Sequence, residues 1–434
     1  MHICFIKPGI SSEKSSAVME PLEFAILNAY TPVHHTREFY DERIEDIPME
    51  INPDLVAINV ETFSAARAYH WAKHFGARGC TVVFGGFHAT ALPDEVLEYG
   101  HSVVIGNAET QWPVLLADLE NNALKPKYIK TPQGGELHTR FDRSIFKGKK
   151  YNYVIPVQWG RGCKHNCGFC SIQSFFQGTL AMRPLSDVIQ EIRMLPTKTL
   201  FMVDDNLFYS PQKLKDFCTA IKPMKRKWGC QISADVARHP ELVTIMAQSG
   251  CILAFIGIES LDSDTLKSAN KSWNMHNNNV VNAIKLFKRN GIMLYGSFIF
   301  GFEKDTIELF DQTVDFAIRH KFFIANFNLL YPMPGTQLYF QLRDANQLTD
   351  NFWWKAPGFQ YGYPMVRPSH MTTEEFGDGV FNAKKKFISW RSILYRLTDR
   401  RTHLSSLLNF FLYLTGNIIN RREIYKKQFQ VLGK

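Results

Sequence analysis

The sequence predicts an α/β protein built from two successive strand–helix alternations, and three observations predict it. In roughly the first 125 residues short β-branched runs without polar alternation recur, bounded by Gly, Asp or Pro, as strands buried on both faces are. Helical stretches separate these runs, which implies parallel strands joined by helical crossovers. At 434 residues the chain exceeds one ordinary core and calls for two or three domains. A hydrophobic fraction of 45% against 21% charged residues excludes a disordered chain. No run reaches the length of a spanning helix. The N-terminal "MHICFIKPG" has neither the basic region nor the cleavage site of a signal peptide, and reads as a first strand.

The elements follow in order. In residues 1–130 the strands are "HICFI", "DLVAINV", "TVVFGG" and "SVVIGN", and "AARAYHWAKHFGARG" is a helix stopped at Gly79. A doubly wound Rossmann-like sheet results, with ligands expected beyond the carboxyl ends of its strands, at the loops "NVETFSA", "GGFHAT" and "GNAET". Residues 131–150 are polar, Gly- and Lys-rich and read as a linker. From 151 to 345 six strands ("YVIPVQW", "TLFMVDD", "GCQISAD", "CILAFIGIES", "IMLYGSFIFG", "IANFNLLYP") alternate with helical stretches such as "HPELVTIMAQSG" and "NNNVVNAIKLFKRNG". This pattern fits an open sheet or a barrel. A barrel carries its chemistry at the C-terminal strand ends, where Asp204, Asp205, Asn206, Ser233, Asp235, Glu259, Ser260 and Glu303 fall. Residues 346–434 form an aromatic, then basic, helical extension.

Of eight cysteines, Cys4, Cys80, Cys218, Cys230 and Cys251 are scattered and read as small buried apolar groups in a reducing cytoplasm. Cys163, Cys167 and Cys170 stand together in "GRGCKHNCGFC", at the spacing C-x3-C-x2-C. Thiolates this dense bind metal or do redox chemistry. A closed zinc site needs four protein ligands, and here the fourth is His165 in the same loop or a remote group. A [4Fe–4S] cluster on three cysteines leaves one iron open to a substrate or cofactor. Spacing alone leaves both readings standing.

The triad follows "YVIPVQWGRG", a strand ending in a Gly-Arg-Gly turn, and Phe169 precedes its third cysteine. In these features the sequence resembles the radical S-adenosylmethionine (SAM) enzymes. The resemblance implies a partial (βα)6 barrel, a [4Fe–4S] cluster on Cys163, Cys167 and Cys170, and SAM on the open iron as a radical source. It also implies SAM contacts: Asp204 and Asp205 of "FMVDDNLF" to the amino group, Ser233 at the third strand end, and Glu259 and Ser260 of "IGIES" to ribose and carboxylate. Phe169 would lie beside the cofactor, and Ile299 of "YGSFIFGFEKDT" on the adenine, although Ser297 replaces that motif's first glycine. The alternative for the aspartates is that one of them, or Asn206, caps a turn.

"PDLVAINVETFSAARAYHWA", "VVFGGFHATALPDEVL" and "VVIGNAETQWPVLLADL" resemble the cobalamin-binding domain of radical SAM proteins of the Mg-protoporphyrin cyclase and lipid or pigment C-methylase group. The resemblance implies that Gly85, Gly86 and Gly106 admit the corrin tail, with Thr62 and Ser64 near the corrin face. Two departures stand out. The loop after "HICFI" reads "KPGISSEK" and lacks the D-x-H-x-x-G motif whose histidine ligates cobalt. The usual acidic "GEGE" turn reads Gly106-Asn107-Ala108-Glu109. His70, His74, His88 and His101 read as helix-surface or loop residues. A domain that only scaffolds the barrel is the alternative. The methylthiotransferases acting on tRNA have a similar barrel, but they need three N-terminal cysteines where this chain has Cys4 and Cys80.

Charge is uneven. From Lys384 to Lys434 twelve Lys or Arg face Asp399 and Glu423, a balance of +10 within a chain total of +9. The stretch "THLSSLLNFFLYLTGNII" between these basic groups places Leu404, Leu407, Leu408, Phe411, Ile418 and Ile419 at helical spacing. Such a face lies on an anionic membrane surface or packs on the barrel. No nucleic-acid module accompanies the charge. The aromatic stretch "NFWWKAPGFQYGYPMV" lines an apolar pocket or forms core at the barrel mouth. The resemblance implies a cobalamin-dependent C-methyltransferase acting on an unactivated carbon of an apolar small molecule (lipid, isoprenoid or tetrapyrrole), fed by a flavodoxin- or ferredoxin-type electron donor. Its rivals are a radical cyclase or oxidative enzyme without methyl transfer, and a cobalamin or cluster sensor.

Overall fold

A computed structural model of the protein describes residues 1–274 and 279–434. The first sheet is wholly parallel, in the order β2-β1-β3-β4-β5-β6. Its strands are β1 (His2–Lys7), β2 (Thr36–Asp41), β3 (Leu55–Asn59), β4 (Thr81–Gly85), β5 (Ser102–Gly106) and β6 (Lys127–Lys130). Strands β1, β3, β4 and β5 are the apolar runs read from the sequence. The edge strands β2 ("TREFYD") and β6 ("KYIK") carry charged side chains, as edges do to block further pairing, and so lack the apolar signature. Helices α1 (Leu22–Ala29), α2 (Ala65–Gly76), α3 (Phe87–Ala91), α4 (Pro93–Leu97) and α5 (Gln111–Glu120) cover this sheet. The stretch read as a linker carries β7 (Gly135–Glu136), and its Phe146 is buried in the first domain's core.

The second sheet has the order β15-β14-β13-β12-β11-β8, again all parallel. It contains β8 (Ile155–Val157), β11 (Thr199–Met202), β12 (Lys227–Gln231), β13 (Cys251–Glu259), β14 (Met293–Phe300) and β15 (Ile324–Leu329). Beside it, the short strand β10 (Ala181–Met182) pairs with β7 on one side and with β9 (Gly160–Arg161) on the other. Strictly sequential order with right-handed crossovers sends every helix to one face, which selects the barrel over the doubly wound sheet. The barrel stays open between β8 and β15. Helices α6 (Ser171–Phe176), α7 (Leu185–Met194), α8 (Pro211–Ile221), α9 (Pro240–Gln248), α10 (Ser263–Ser268), α11 (Asn279–Arg289) and α12 (Glu308–Arg319) follow the strands. The first residues of the "NNNVVNAIKLFKRNG" stretch lie outside the described residues. Along β14 and β15 the side chains alternate. Phe298, Phe300, Phe327 and Leu329 are buried outward under the helices, whereas Tyr295, Ser297, Ile299, Asn326 and Asn328 are half-buried toward the lumen.

The C-terminal extension contributes α13 (Gln337–Asp344), α14 (Thr373–Phe387), α15 (Trp390–Leu397) and α16 (Leu407–Lys427). Trp353 and Trp354 of the aromatic stretch are core, fully buried between the first domain and the chain leaving β15, where Trp353 Nε1 donates to Pro332 C=O at 3.4 Å. The chain end returns to the first domain, where Gly433 N–H donates to Ile10 C=O (2.9 Å) and Ser12 N–H to Lys434 C=O (2.7 Å).

Candidate functional site

The cysteine loop leaves β8 under tight backbone control. Trp159 and Gly160 N–H donate to the Asp204 carboxylate (3.2 and 2.6 Å), as does the Tyr209 hydroxyl (2.9 Å). Gly162 N–H donates to Asp205 Oδ2 (2.8 Å). Gly162 has φ +86°, and a Cβ there would stand 2.0 Å from Thr179 C=O, so only glycine passes the loop this close to its neighbour. Burial pushes the Asp204 carboxyl up to about 7 and Asp205 up to about 6. Asp204, expected to meet an ammonium, has both oxygens committed to the loop; Asp205 borders the cavity described below.

Asn206 extends this scaffold. Its amide lies 3.9 Å from Cys163 Sγ and 3.0 Å from Ser233 Oγ, and its Oδ1 accepts from Ser233 N–H (3.1 Å). The Ser233 hydroxyl in turn donates to Asp235, which pairs with Lys164 Nζ at 2.9 Å. Ser260 Oγ accepts from Asp262 N–H (3.1 Å) in the turn before α10. Ser233 and Ser260, expected as cofactor contacts, are engaged inside the scaffold.

Cys163, Cys167 and Cys170 are all free thiols, and burial pushes each thiol up, Cys167 to about 12. Thiolates buried here need a compensating cation. Lys271 is buried near Cys167 and Cys170, paired with Glu259 at 2.7 Å, its ammonium 5.9 Å from the Phe169 ring. Nothing in the sequence around "SANKSWN" marked Lys271. Glu259 sits at φ +67°, and Phe169 meets Phe302 edge-on at 6.2 Å. Among the described residues the group of three His, Cys or acidic donors lying within 4.8 Å of one another is His34, His35 and Glu120. His165 stacks on Trp273 (3.9 Å) and faces Asp235. Three cysteines with no fourth cysteine in the loop are a donor set that fits a [4Fe–4S] cluster with one iron left open.

A cavity of about 860 Å³ lies between the carboxyl ends of the first sheet and the barrel mouth, within the size range of cofactor sites. Gly85, Gly86 and Gly106 line one side, and Gln158, Arg161 and Asp205 the other. At Gly85 a Cβ would meet nothing nearer than 4.0 Å, whereas at Gly86 it would stand 2.7 Å from Val60 C=O. Arg161 and Glu109 close a buried ion pair across the domains at 2.6 Å. Ser64 does not line this cavity, and Thr62 lines a smaller adjoining one that shares Glu61, Phe63, Phe87 and Gly106 with it. Thr62 Oγ1 lies 3.3 Å from His88 Nδ1, and Ser64 caps the turn at Glu61. Glu61 and Phe63 line the cavity instead. No histidine is among the described residues lining it. Buried Lys7 ends β1, held by Glu23 (2.9 Å), Asn59 (3.0 Å) and Glu61. His88, expected at the surface, is buried with Nε2 on Tyr69 (3.1 Å) and Glu95 (3.3 Å).

The three cysteines sit on the loop after the first strand of an open parallel barrel, and residues 157–317 match the radical SAM superfamily. Over most of its length the chain is also similar to enzymes. It is 28% identical to a bacteriochlorophyllide d C-12(1)-methyltransferase of Chlorobaculum tepidum over 92% of this chain and 89% of that protein. It is 24% identical to an anaerobic magnesium-protoporphyrin IX monomethyl ester cyclase of Rubrivivax gelatinosus, over 87% and 74% respectively. Its fold is similar to that of the radical SAM methyltransferase TsrM from Kitasatospora setae, solved with cobalamin and a [4Fe-4S] cluster bound. That likeness has a TM-score of 0.64 at 14% identity and covers 82% and 79% of the two chains.

Proposed function

We propose that the protein is a cobalamin-dependent radical SAM C-methyltransferase acting on an unactivated carbon of an apolar small molecule, with tetrapyrroles the favoured class because the relatives above act on them. The observation that carries this reading is geometric. The glycine-lined edge of the first sheet and the loop anchored by Asp205 border one cavity, so a corrin and a sulfonium cofactor can address one substrate from two sides. Cys163, Cys167 and Cys170 would hold the cluster, leaving one iron for SAM; Gly85, Gly86 and Gly106 would admit cobalamin. When bound, cluster and SAM supply hydrogen abstraction and cobalamin supplies the methyl group.

The chain's own residues do the rest. Asp204 and Asp205 fix the loop, and Lys271 offsets thiolate charge in a site of low dielectric. The Lys7 and Arg161 ion pairs hold the cavity walls without a histidine ligand for cobalt. Tyr295, Ser297, Asn326 and Asn328 present polar groups to the lumen. A small one-electron donor completes the system.

Anaerobic reconstitution followed by incubation with SAM, reductant and a tetrapyrrole tests the proposal. S-adenosylhomocysteine and 5′-deoxyadenosine should both form, and Cys163→Ala should abolish iron uptake and both products. Deoxyadenosine alone would favour a radical reaction without methyl transfer, the reading to which the cyclase relative points. Zinc alone on the cysteine loop would overturn both.

A further inference from the structure

We propose that the outward face of α15 and of the first turns of α16 docks on an anionic lipid bilayer, independently of the chemistry at the cysteine loop. The helix α16 is packed polar side in. Asn409, Tyr413 and Asn417, spaced i, i+4 and i+8, are its buried residues. Each is committed: Asn409 Nδ2 donates to Thr402 C=O (3.0 Å), the Tyr413 hydroxyl to Ile393 C=O (2.7 Å) and Asn417 Nδ2 to Phe323 C=O (3.2 Å). Asn417 Oδ1 also accepts from the fully buried Arg396 guanidinium at 3.0 Å. Rotating the helix would unpair a buried charge, so the orientation is fixed by the fold.

The apolar side is therefore left outside. Leu407 is 78% exposed and Phe411 59%, with Leu404 and Leu408 beside them in sequence. On α15, packed next to α16, Leu394 is 60% and Trp390 54% exposed, with Tyr395 also outward. Exposed large apolar groups in this number mark an interaction surface. Trp and Tyr suit the boundary between headgroup and acyl chain.

Charge selects the occupant. Between Gly379 and Arg422 the single acid is Asp399, and it is buried against Lys288 at 2.7 Å. Arg391, Arg400, Arg401 and Arg422 are exposed. A second copy would set these cations against themselves, whereas an anionic bilayer neutralises them. No helix among the described residues is long and apolar enough to cross a membrane, so contact is superficial. Met293 and Phe323, at the N-terminal ends of β14 and β15, pack beneath this face with Ile393 and Tyr413. It thus lies at the end of the barrel opposite the cysteine loop, and docking leaves the cavity free.

The test is co-sedimentation of the full-length reconstituted protein with vesicles of phosphatidylcholine alone or with phosphatidylglycerol added. Binding should require phosphatidylglycerol and fall as salt rises. Arg400→Gln and Arg401→Gln should each weaken it about fivefold, and the pair Leu407→Ser with Phe411→Ser should abolish it, with iron content unchanged. Equal binding to both vesicles, or none, overturns the proposal. So does concentration-dependent dimerisation of the wild type that Leu407→Ser with Phe411→Ser relieves, because a second copy then covers the face. The salt series on the wild type decides the case should a variant fail to fold.

Discussion

Lys271 and Glu259 meet at 2.7 Å with both side chains under a tenth exposed. Taking two charges from water is costly, and each is tolerable because the other is there. Lys271→Met would leave Glu259 buried without its partner, at a cost of about 3–5 kcal/mol, read by anaerobic urea unfolding. Adding Glu259→Gln should recover most of that loss; a double variant no more stable than Lys271→Met would show that the pair is not the coupled unit. Residues of this kind explain what was legible at this scale. The cysteines announce themselves by spacing, because three ligands on one tight loop must be close in sequence. Lys271 and Glu259 come together only through the barrel's loops. Asp204 and Asp205 are adjacent in sequence, yet one is filled by Trp159, Gly160 and Tyr209 and the other borders the cavity, a division that depends on backbone N–H groups more than forty residues away.

Between elements, Glu95 of α4 is the point where the first domain grips the C-terminal extension. Its carboxylate accepts from Tyr69 (2.6 Å) and Trp354 Nε1 (2.8 Å), lies 3.3 Å from His88 Nε2, and pairs with Lys355 at 3.0 Å. Burial alone would raise its pKa; the hydrogen bonds from His88, Tyr69, Lys355 and Trp354 reverse that and hold it at about 2. A carboxylate depressed in the folded state stabilises the protein above its ordinary value of 4.5 and loses that contribution as pH falls toward 2. Glu95→Gln should therefore lower stability near neutral pH and flatten the acid limb between about 4.5 and 2. An unchanged acid limb in a pH series of thermal melts would contradict this account. The elements themselves were largely readable. The six barrel strands are apolar-rich runs between helical stretches, with polar residues such as Ser297, Asn326 and Asn328 on the lumen side. Four of six Rossmann strands carry uninterrupted apolar runs, because both faces are covered. The charged edge strands β2 and β6 do not, and α16 misleads for the opposite reason: its apolar stripe is visible in the sequence, but Arg396 and Asn417 turn its polar side inward.

Across the whole molecule, the first domain is not closed by its own residues. Its core includes Tyr339, Trp353, Trp354, Met365 and Leu432 from beyond the barrel, and the end of α16 with the segment after it borders the cavity through Glu423, Lys426, Lys427 and Gln430. This strap is fastened to the loop after β1 by Glu423 to Ser15 (3.0 Å), Lys426 to Glu13 (3.1 Å) and the backbone pairs at Ile10 and Ser12. Ion pairs this exposed contribute little alone. Burial of Leu432 contributes about 1.5–3 kcal/mol, and the backbone pairs hold the loop in register. Ending the chain after Arg422 should therefore lower the melting temperature modestly while loosening one region strongly. Deuterium uptake should rise in residues 9–19 and in the loops bearing Gly85 and Gly106, and stay unchanged in β13, β14 and β15, whose stability rests on a separate core. Unaltered uptake in residues 9–19 would mean that the strap merely lies on the cavity wall and that the first domain closes its own site.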